Sequence, residues 1–213
     1  MTWSQWLVFA GISLFMAFTP GPAVLLAVSN AVSVGPARAM LSSIGNALGL
    51  FLVSAVAMAG LGVVLSTSAQ AFLALKIAGA GYLIYLGVKQ WRNGGKGLAA
   101  AGQGGTSPVA PGGWRLFLNG VTVAVTNPKA ILFFTALFPQ FLVAGVPAAE
   151  QFVVLTATFA GATVLSHIFY VLLARGLRRS FADPRRVRWF NRLSGGAFIV
   201  LGLGLLRLRH KAA

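Results

Sequence analysis

The chain has no cysteine and only two acidic residues, Glu150 and Asp183, among its 213 residues. The missing thiols exclude disulfides, thiolate metal sites and cysteine nucleophiles, and they leave the redox compartment open. The scarcity of acids excludes more. Both carboxylates fall in expected loops or at span ends, so carboxylate-pair catalysis, sodium coordination by side-chain carboxylates and a buried acidic proton carrier all lack their residues. With only two histidines besides, neither a metal cluster nor a serine triad can be composed. No metal and no cofactor is expected, and an enzyme has almost no catalytic side chains to draw on.

What the chain does have is apolar surface: 57% of its residues are hydrophobic, 9% are charged and the mean hydropathy is +0.83. Such a composition belongs to an integral membrane protein. Apolar runs fall at about Trp3–Ser33, Ala39–Leu65, Ala69–Trp91, Trp114–Phe141, Gln151–Ala174 and Leu193–Leu206. At about 20 residues per crossing these give six spans in an all-α bundle. Trp3, Trp6, Trp91, Trp114 and Trp189 lie near the span ends, where aromatic belts form. The start of the chain lacks the basic region of a signal peptide, so the first apolar run is expected to be retained as a helix. The net charge of +15 sits in short loops between spans. This favours the headgroups of a lipid bilayer over nucleic acid as counter-charge.

A glycine-rich stretch over 93–113, NGGKGLAAAGQGGTSPVAPGG, has the composition of a flexible linker and divides the chain into halves at 1–92 and 114–213. Arg38 in the first loop, Lys89, Arg92, Lys96 and Arg115 around the third, and Arg175, Arg178, Arg179, Arg185, Arg186, Arg188 and Arg192 around the fifth make twelve of the 17 basic residues. The positive-inside rule places these loops in the cytoplasm and both termini outside, against the weaker pull of Arg207, Arg209 and Lys211. The halves also match each other. At an offset of 108, Trp6, Phe9 and Pro20 correspond to Trp114, Phe117 and Pro128. At an offset of 115, Gly81, Leu86, Gly87 and Arg92 correspond to Gly196, Leu201, Gly202 and Arg207. Three spans per half turn the second half over, which makes two inverted three-helix repeats.

Two spans are broken by proline at matching places, Thr19-Pro20-Gly21-Pro22 and Asn127-Pro128-Lys129. Each proline removes a donor, so Pro20, Pro22 and Pro128 release the carbonyls of Met16, Phe18 and Ala124. Hydrocarbon cannot satisfy those groups, and matched breaks in two halves are the best sequence pointer to a transported substrate's site. The half-helix restarting at Pro22 would aim free N–H groups at a substrate carboxylate. Lys129 falls near mid-membrane, where it would pair with that carboxylate or with freed carbonyls, or snorkel or cap its own break. Asn30, Asn46, Asn119 and Asn127 need polar partners; Asn127 is the preferred substrate contact, and Asn46, within Gly45-Asn46-Ala47-Leu48-Gly49, is a further substrate-binding candidate whose pattern favours close helix packing. His167 is the side chain inside a proposed span whose residue type, unshifted, titrates near neutral pH; it is a candidate proton relay, or else a structural histidine near the cytoplasmic interface, with Tyr170 as same-face neighbour in either case.

The segments FTPGPAVLLAVSNAVSVGPARAM, LKIAGAGYLIYLGVKQWR, VTNPKAILFFTALFPQF and RVRWFNRLSGGAFIVLGLGLL, in this order, resemble the LysE-type amino-acid exporter family, above all its homoserine/threonine exporter branch. The resemblance covers nearly the whole chain outside the linker and the tail. It implies a six-helix protein of the bacterial inner membrane that exports amino acids or similar small metabolites against proton entry. It marks Thr19, Pro20, Gly21, Pro22, Asn127, Pro128 and Lys129 as motif positions, with Pro139-Gln140-Phe141 at the outer end of the fourth span. Some relatives carry an acid in the fifth span where this chain has Gly161-Ala162-Thr163-Val164. A neutral amino acid therefore suits it better than a cationic one. The competing expectation is a non-transporting membrane adaptor that uses its basic loops to hold a partner. The sequence admits a homo-oligomer as readily as a monomer.

Overall fold

The computed structural model describes residues 1–67, 69–92, 111–143, 145–180 and 184–207. Most of the expected linker, with Lys96, lies outside these residues, as do Asp183, Arg209 and Lys211. Among the described residues every regular element is helical: α1 (Trp3–Phe18), α2 (Pro22–Val34), α3 (Pro36–Thr67), α4 (Ala69–Arg92), α5 (Gly113–Thr126), α6 (Pro128–Leu132), α7 (Ala148–Ser180) and α8 (Pro184–Arg207). A π-helical turn (Phe133–Leu137) and a 3₁₀ turn (Phe138–Phe141) extend α6.

Local chemistry sets these ends. Thr2 and Gln5 form a reciprocal capping box at the start of α1. α1 stops at Thr19, whose φ of −71° and ψ of 123° are the extended conformation that a following proline imposes. α2 resumes at Pro22, where a missing N–H costs nothing, and ends at Gly35, whose φ of 87° favours glycine. α1 and α2 meet at 52°, and α5 and the α6 segment meet at 49°. Pro36–Gly60 of α3 and Ala148–Ala174 of α7 are each long and apolar enough to cross a membrane, and each bent pair qualifies when taken as one span. The six-span arrangement needs α4 and α8, of 24 residues each, as the remaining two.

Phenylalanine fills the core. Phe9, Phe133, Phe134, Phe138, Phe159 and Phe198 are all buried, with the Phe133 and Phe159 rings stacked at 3.9 Å. Outward faces are apolar too, with Val56, Leu172 and Val200 exposed, as expected of lipid-facing helices. Trp3, Trp91, Trp114 and Trp189 are exposed as well. Trp6 is anchored by its indole N–H on Thr158 Oγ1 at 3.1 Å.

Glycine permits two close helix contacts. Gly45 and Gly49 of α3 press on Phe117, Val121 and Ala124 of α5, and Gly120 of α5 presses back on Ser42 and Asn46. Between α4 and α8 the packing is nearly self-matching. A Cβ on Gly87 would lie 2.6 Å from the Gly195 carbonyl oxygen and 2.7 Å from Ile199 Cγ1. One on Gly202 would lie 2.8 Å from the Ala80 oxygen and 2.8 Å from Ile84 Cγ1. Gly87, Ile84 and Ala80 stand 115 positions before Gly202, Ile199 and Gly195.

Candidate functional site

The carbonyls at the end of α1 are all accounted for, and mostly by other helices. Phe15 O accepts from its own cap, from Thr19 N at 3.0 Å and Thr19 Oγ1 at 2.8 Å. Met16 O, one of those freed by proline, accepts from Lys129 Nζ at 2.8 Å. Ala17 O accepts from Ser166 Oγ at 2.8 Å. Phe18 O, the other, accepts from Tyr170 OH at 2.7 Å. Thr19 O accepts from the same Lys129 ammonium at 2.8 Å. Buried carbonyls must be paired, and here α6 and α7 supply what the broken helix cannot.

The second break closes on itself. Asn127 ends α5 and starts α6; its backbone N–H reaches Ala124 O at 3.2 Å, the carbonyl that Pro128 releases. Its side-chain Oδ1 accepts from Lys129 N at 3.0 Å as an N-cap. The Asn127 side-chain oxygen is thus engaged by backbone, and it holds the first residues of α6 so that Lys129 leans toward the other break. Lys129 neither caps its own break nor snorkels; it crosses to the opposite one.

The two breaks therefore touch. A Cβ on Gly21 would lie 3.4 Å from Lys129 Nζ. Thr19 and Pro20 are buried, Gly21 is half-buried, and Pro22 and Pro128 are exposed. No side chain caps the N-terminus of α2, so its first N–H groups and the lysine ammonium form one electropositive locus. The ammonium carries three donors, and the two carbonyls use two of them.

The other candidates separate. Asn30 donates to Ser42 Oγ at 2.9 Å, an interhelical tie of α2 to α3. Asn46 is 1% exposed and donates weakly to Gly120 O at 3.4 Å, while its Oδ1 has no partner. Asn119 is exposed and takes no part. His167 is 1% exposed with neither ring nitrogen bonded. Tyr170 shares its helix but spends its hydroxyl on α1. Ser166 escaped sequence reasoning. Its signal was available, since Ser166 and Tyr170 are four residues apart on one helical face beside His167. A cavity of about 350 Å³, lined by Met1, Trp3, Trp6, Glu150 and Leu155 among others, opens at the far end of α1 and does not reach the breaks.

This is a helical membrane protein organised around two broken helices tied to each other. The chain belongs to the LysE type translocator family, whose model matches residues 14–209. It is 31% identical over 210 residues to the homoserine/homoserine lactone efflux protein of Salmonella typhimurium LT2, covering 99% of this chain and 100% of that protein. An uncharacterized membrane protein of Vibrio cholerae is 31% identical over 97% of this chain and 98% of its own length. The leucine efflux protein of Salmonella typhi is 32% identical over 65% of this chain and 63% of its own. No solved structure matches the chain.

Proposed function

We propose that the protein exports neutral amino acids, homoserine- or threonine-like, across the bacterial inner membrane in exchange for protons. The observation that carries this reading is the Lys129 bridge from one helix break to the carbonyl end of the other. A substrate carboxylate entering between the breaks meets the remaining ammonium donor and the free N–H groups of α2, so Thr19, Pro20, Gly21 and Pro22 face Pro128 and Lys129 across it. Efflux relatives of two different neutral amino acids support the substrate class.

Two inverted repeats, 1–92 and 114–213, give this site access to either side in turn. The like surroundings of Gly87 and Gly202 support that pairing, because a two-fold axis between α4 and α8 would produce them. In this scheme the basic loops are cytoplasmic and the termini are outside. His167, buried and titratable, is the proton carrier.

Uptake of a panel of labelled amino acids into inside-out vesicles under an imposed proton gradient tests the reading. Saturable uptake that collapses with the gradient is expected. Uptake of no compound by the wild type would refute it in favour of an adaptor, for which charge reversal at Arg185, Arg186 and Arg188 would then abolish function.

A further inference from the structure

Among the described residues, six buried side-chain nitrogen and oxygen atoms have no hydrogen-bond partner: Ser13 Oγ, Ser43 Oγ, Asn46 Oδ1, Gln140 Nε2 and both ring nitrogens of His167. Buried polar atoms are rarely left so, and a group of them calls for an occupant. Helix register brings all but Gln140 together. α3 and α7 run antiparallel, with Ser54 on Thr156 at 2.6 Å and, toward the other end, Ala39 in one packed cluster with Val171. Ser43 lies eleven residues before Ser54, and His167 eleven after Thr156. Eleven residues make about three turns plus 20°, a shift of about 16 Å along each axis. By register Ser43 and His167 therefore fall at one level and turn the same way as the bonded pair, beside α2, whose Ala27 and Ala31 share the cluster of Ala39 and Val171. Asn46 stands one turn from Ser43 on α3. Ser13 stands one turn before Ala17, whose carbonyl is bonded to Ser166, the neighbour of His167. Ser13, Ser43, Asn46 and His167 are each no more than 1% exposed.

We infer that Ser13, Ser43, Asn46 and His167 form a subsite for a primary ammonium group, the α-amino end of the substrate whose carboxylate is held at Lys129. The chemistry of the set fits. Asn46 Oδ1 accepts only, the two hydroxyls accept readily, and a neutral imidazole offers one lone pair. Four neutral acceptors replace the carboxylate that a chain with two peripheral acids does not possess. All four are shielded from solvent here, so the ligand reaches them when α3 and α7 part. The subsite also couples substrate to proton. Protonated His167 is a cation with two donors and no acceptor, so it and an ammonium exclude each other. The titratable groups facing it are Lys129 from α6 and Tyr170 on its own helix; α1 and α2 carry none, and α3 carries only Arg38 near its start.

This inference rests on the export reading, and its test separates the two. The full-length protein in proteoliposomes is assayed with labelled L-leucine and L-homoserine, using as competitors the unlabelled amino acids and their 2-hydroxy acids, which replace the ammonium by hydroxyl. The wild type should prefer the amino acids by tenfold or more. Ser43→Ala and Asn46→Leu should each weaken amino-acid competition about tenfold, with hydroxy-acid competition held within about twofold. The wild-type apparent KM should rise on acidification, and His167→Gln should flatten that rise. Variants that weaken both classes equally would make the cluster merely structural and overturn the subsite. So would unchanged discrimination in Ser43→Ala, the variant that changes one atom. No uptake by the wild type would instead overturn export itself.

Discussion

Replacing Gly87 by alanine puts a methyl carbon 2.6 Å from the Gly195 carbonyl oxygen, 2.7 Å from Ile199 Cγ1 and 3.0 Å from Ile199 N. Two of these neighbours are backbone, so α8 as a whole must move back by about 0.8 Å to restore a contact of 3.4 Å. Overpacking of this kind costs about 1–3 kcal/mol, and the better helix propensity of alanine returns up to about 1 kcal/mol. A net loss of about 1–2 kcal/mol follows. Gly202→Ala meets the Ala80 oxygen and Ile84 Cγ1 at 2.8 Å and should lose nearly the same. Gly81 and Gly204, on the same two helices, have nothing within 4 Å of a Cβ, and their alanine variants should lose nothing. The assay is unfolding in mixed micelles by titration with a denaturing detergent, followed through tryptophan fluorescence. Losses at Gly87 and Gly202 that differ by more than about 1 kcal/mol, or that match those at Gly81 and Gly204, would refute a two-fold axis between α4 and α8.

Three further outcomes follow from the bonds at the breaks and in the loop before α7. Tyr170→Phe and Ser166→Ala each strand one carbonyl of α1 and should cost about 0.6–1.7 kcal/mol in the same titration, from the mean to the maximum of hydrogen bonds measured in a membrane bundle. Gln151→Leu removes three bonds, to Val143 N, Val143 O and Val146 O, and should cost about 2 kcal/mol while leaving substrate KM unchanged in vesicle transport. Pro20→Ala restores an N–H that competes with Lys129 for Met16 O. Its cost should therefore shrink by about 1 kcal/mol or more in a Lys129→Met background, as a double-mutant cycle would measure. A zero coupling term would refute the bridge.

The breaks themselves were legible in the sequence because proline acts locally: it deletes a donor whatever surrounds it. Their bend and the extended Thr19 follow from neighbouring residues alone. The partners of the freed carbonyls were not legible. Which helix supplies a hydroxyl to Phe18 O depends on how α7 is rotated and how deep it sits, and no local pattern encodes either. Lys129 shows the same limit. Its mid-membrane position announced a polar partner, but the choice between its own break and the opposite one is made by the Asn127 cap that aims it. The π turn at Phe133–Leu137 had no proline or glycine to signal it. There the Phe138 N–H reaches back to Phe133 O, and consecutive Phe133 and Phe134 both enter the core. Gly45 and Gly49 were readable as a close-packing pattern, whereas their α5 partners were not.

Charge scarcity and helix breakage are one device here. A lysine near the middle of a membrane ordinarily calls for a carboxylate, and among the described residues the one acid, Glu150, sits in the first turn of α7, away from the breaks. The carbonyl end of α1 takes that place: the end of a helix carries partial negative charge, and the break exposes it at the required depth. The prolines thus make both the bend and the counter-charge. Because that counter-charge is dipolar, Lys129 stays short of full neutralisation and retains its pull on an anion. In the proposed reading a substrate carboxylate would take the remaining ammonium donor and draw the lysine away from Met16 and Thr19. On that proposal binding would loosen the very tie that joins the two breaks, which is the coupling between occupancy and movement that alternating access demands.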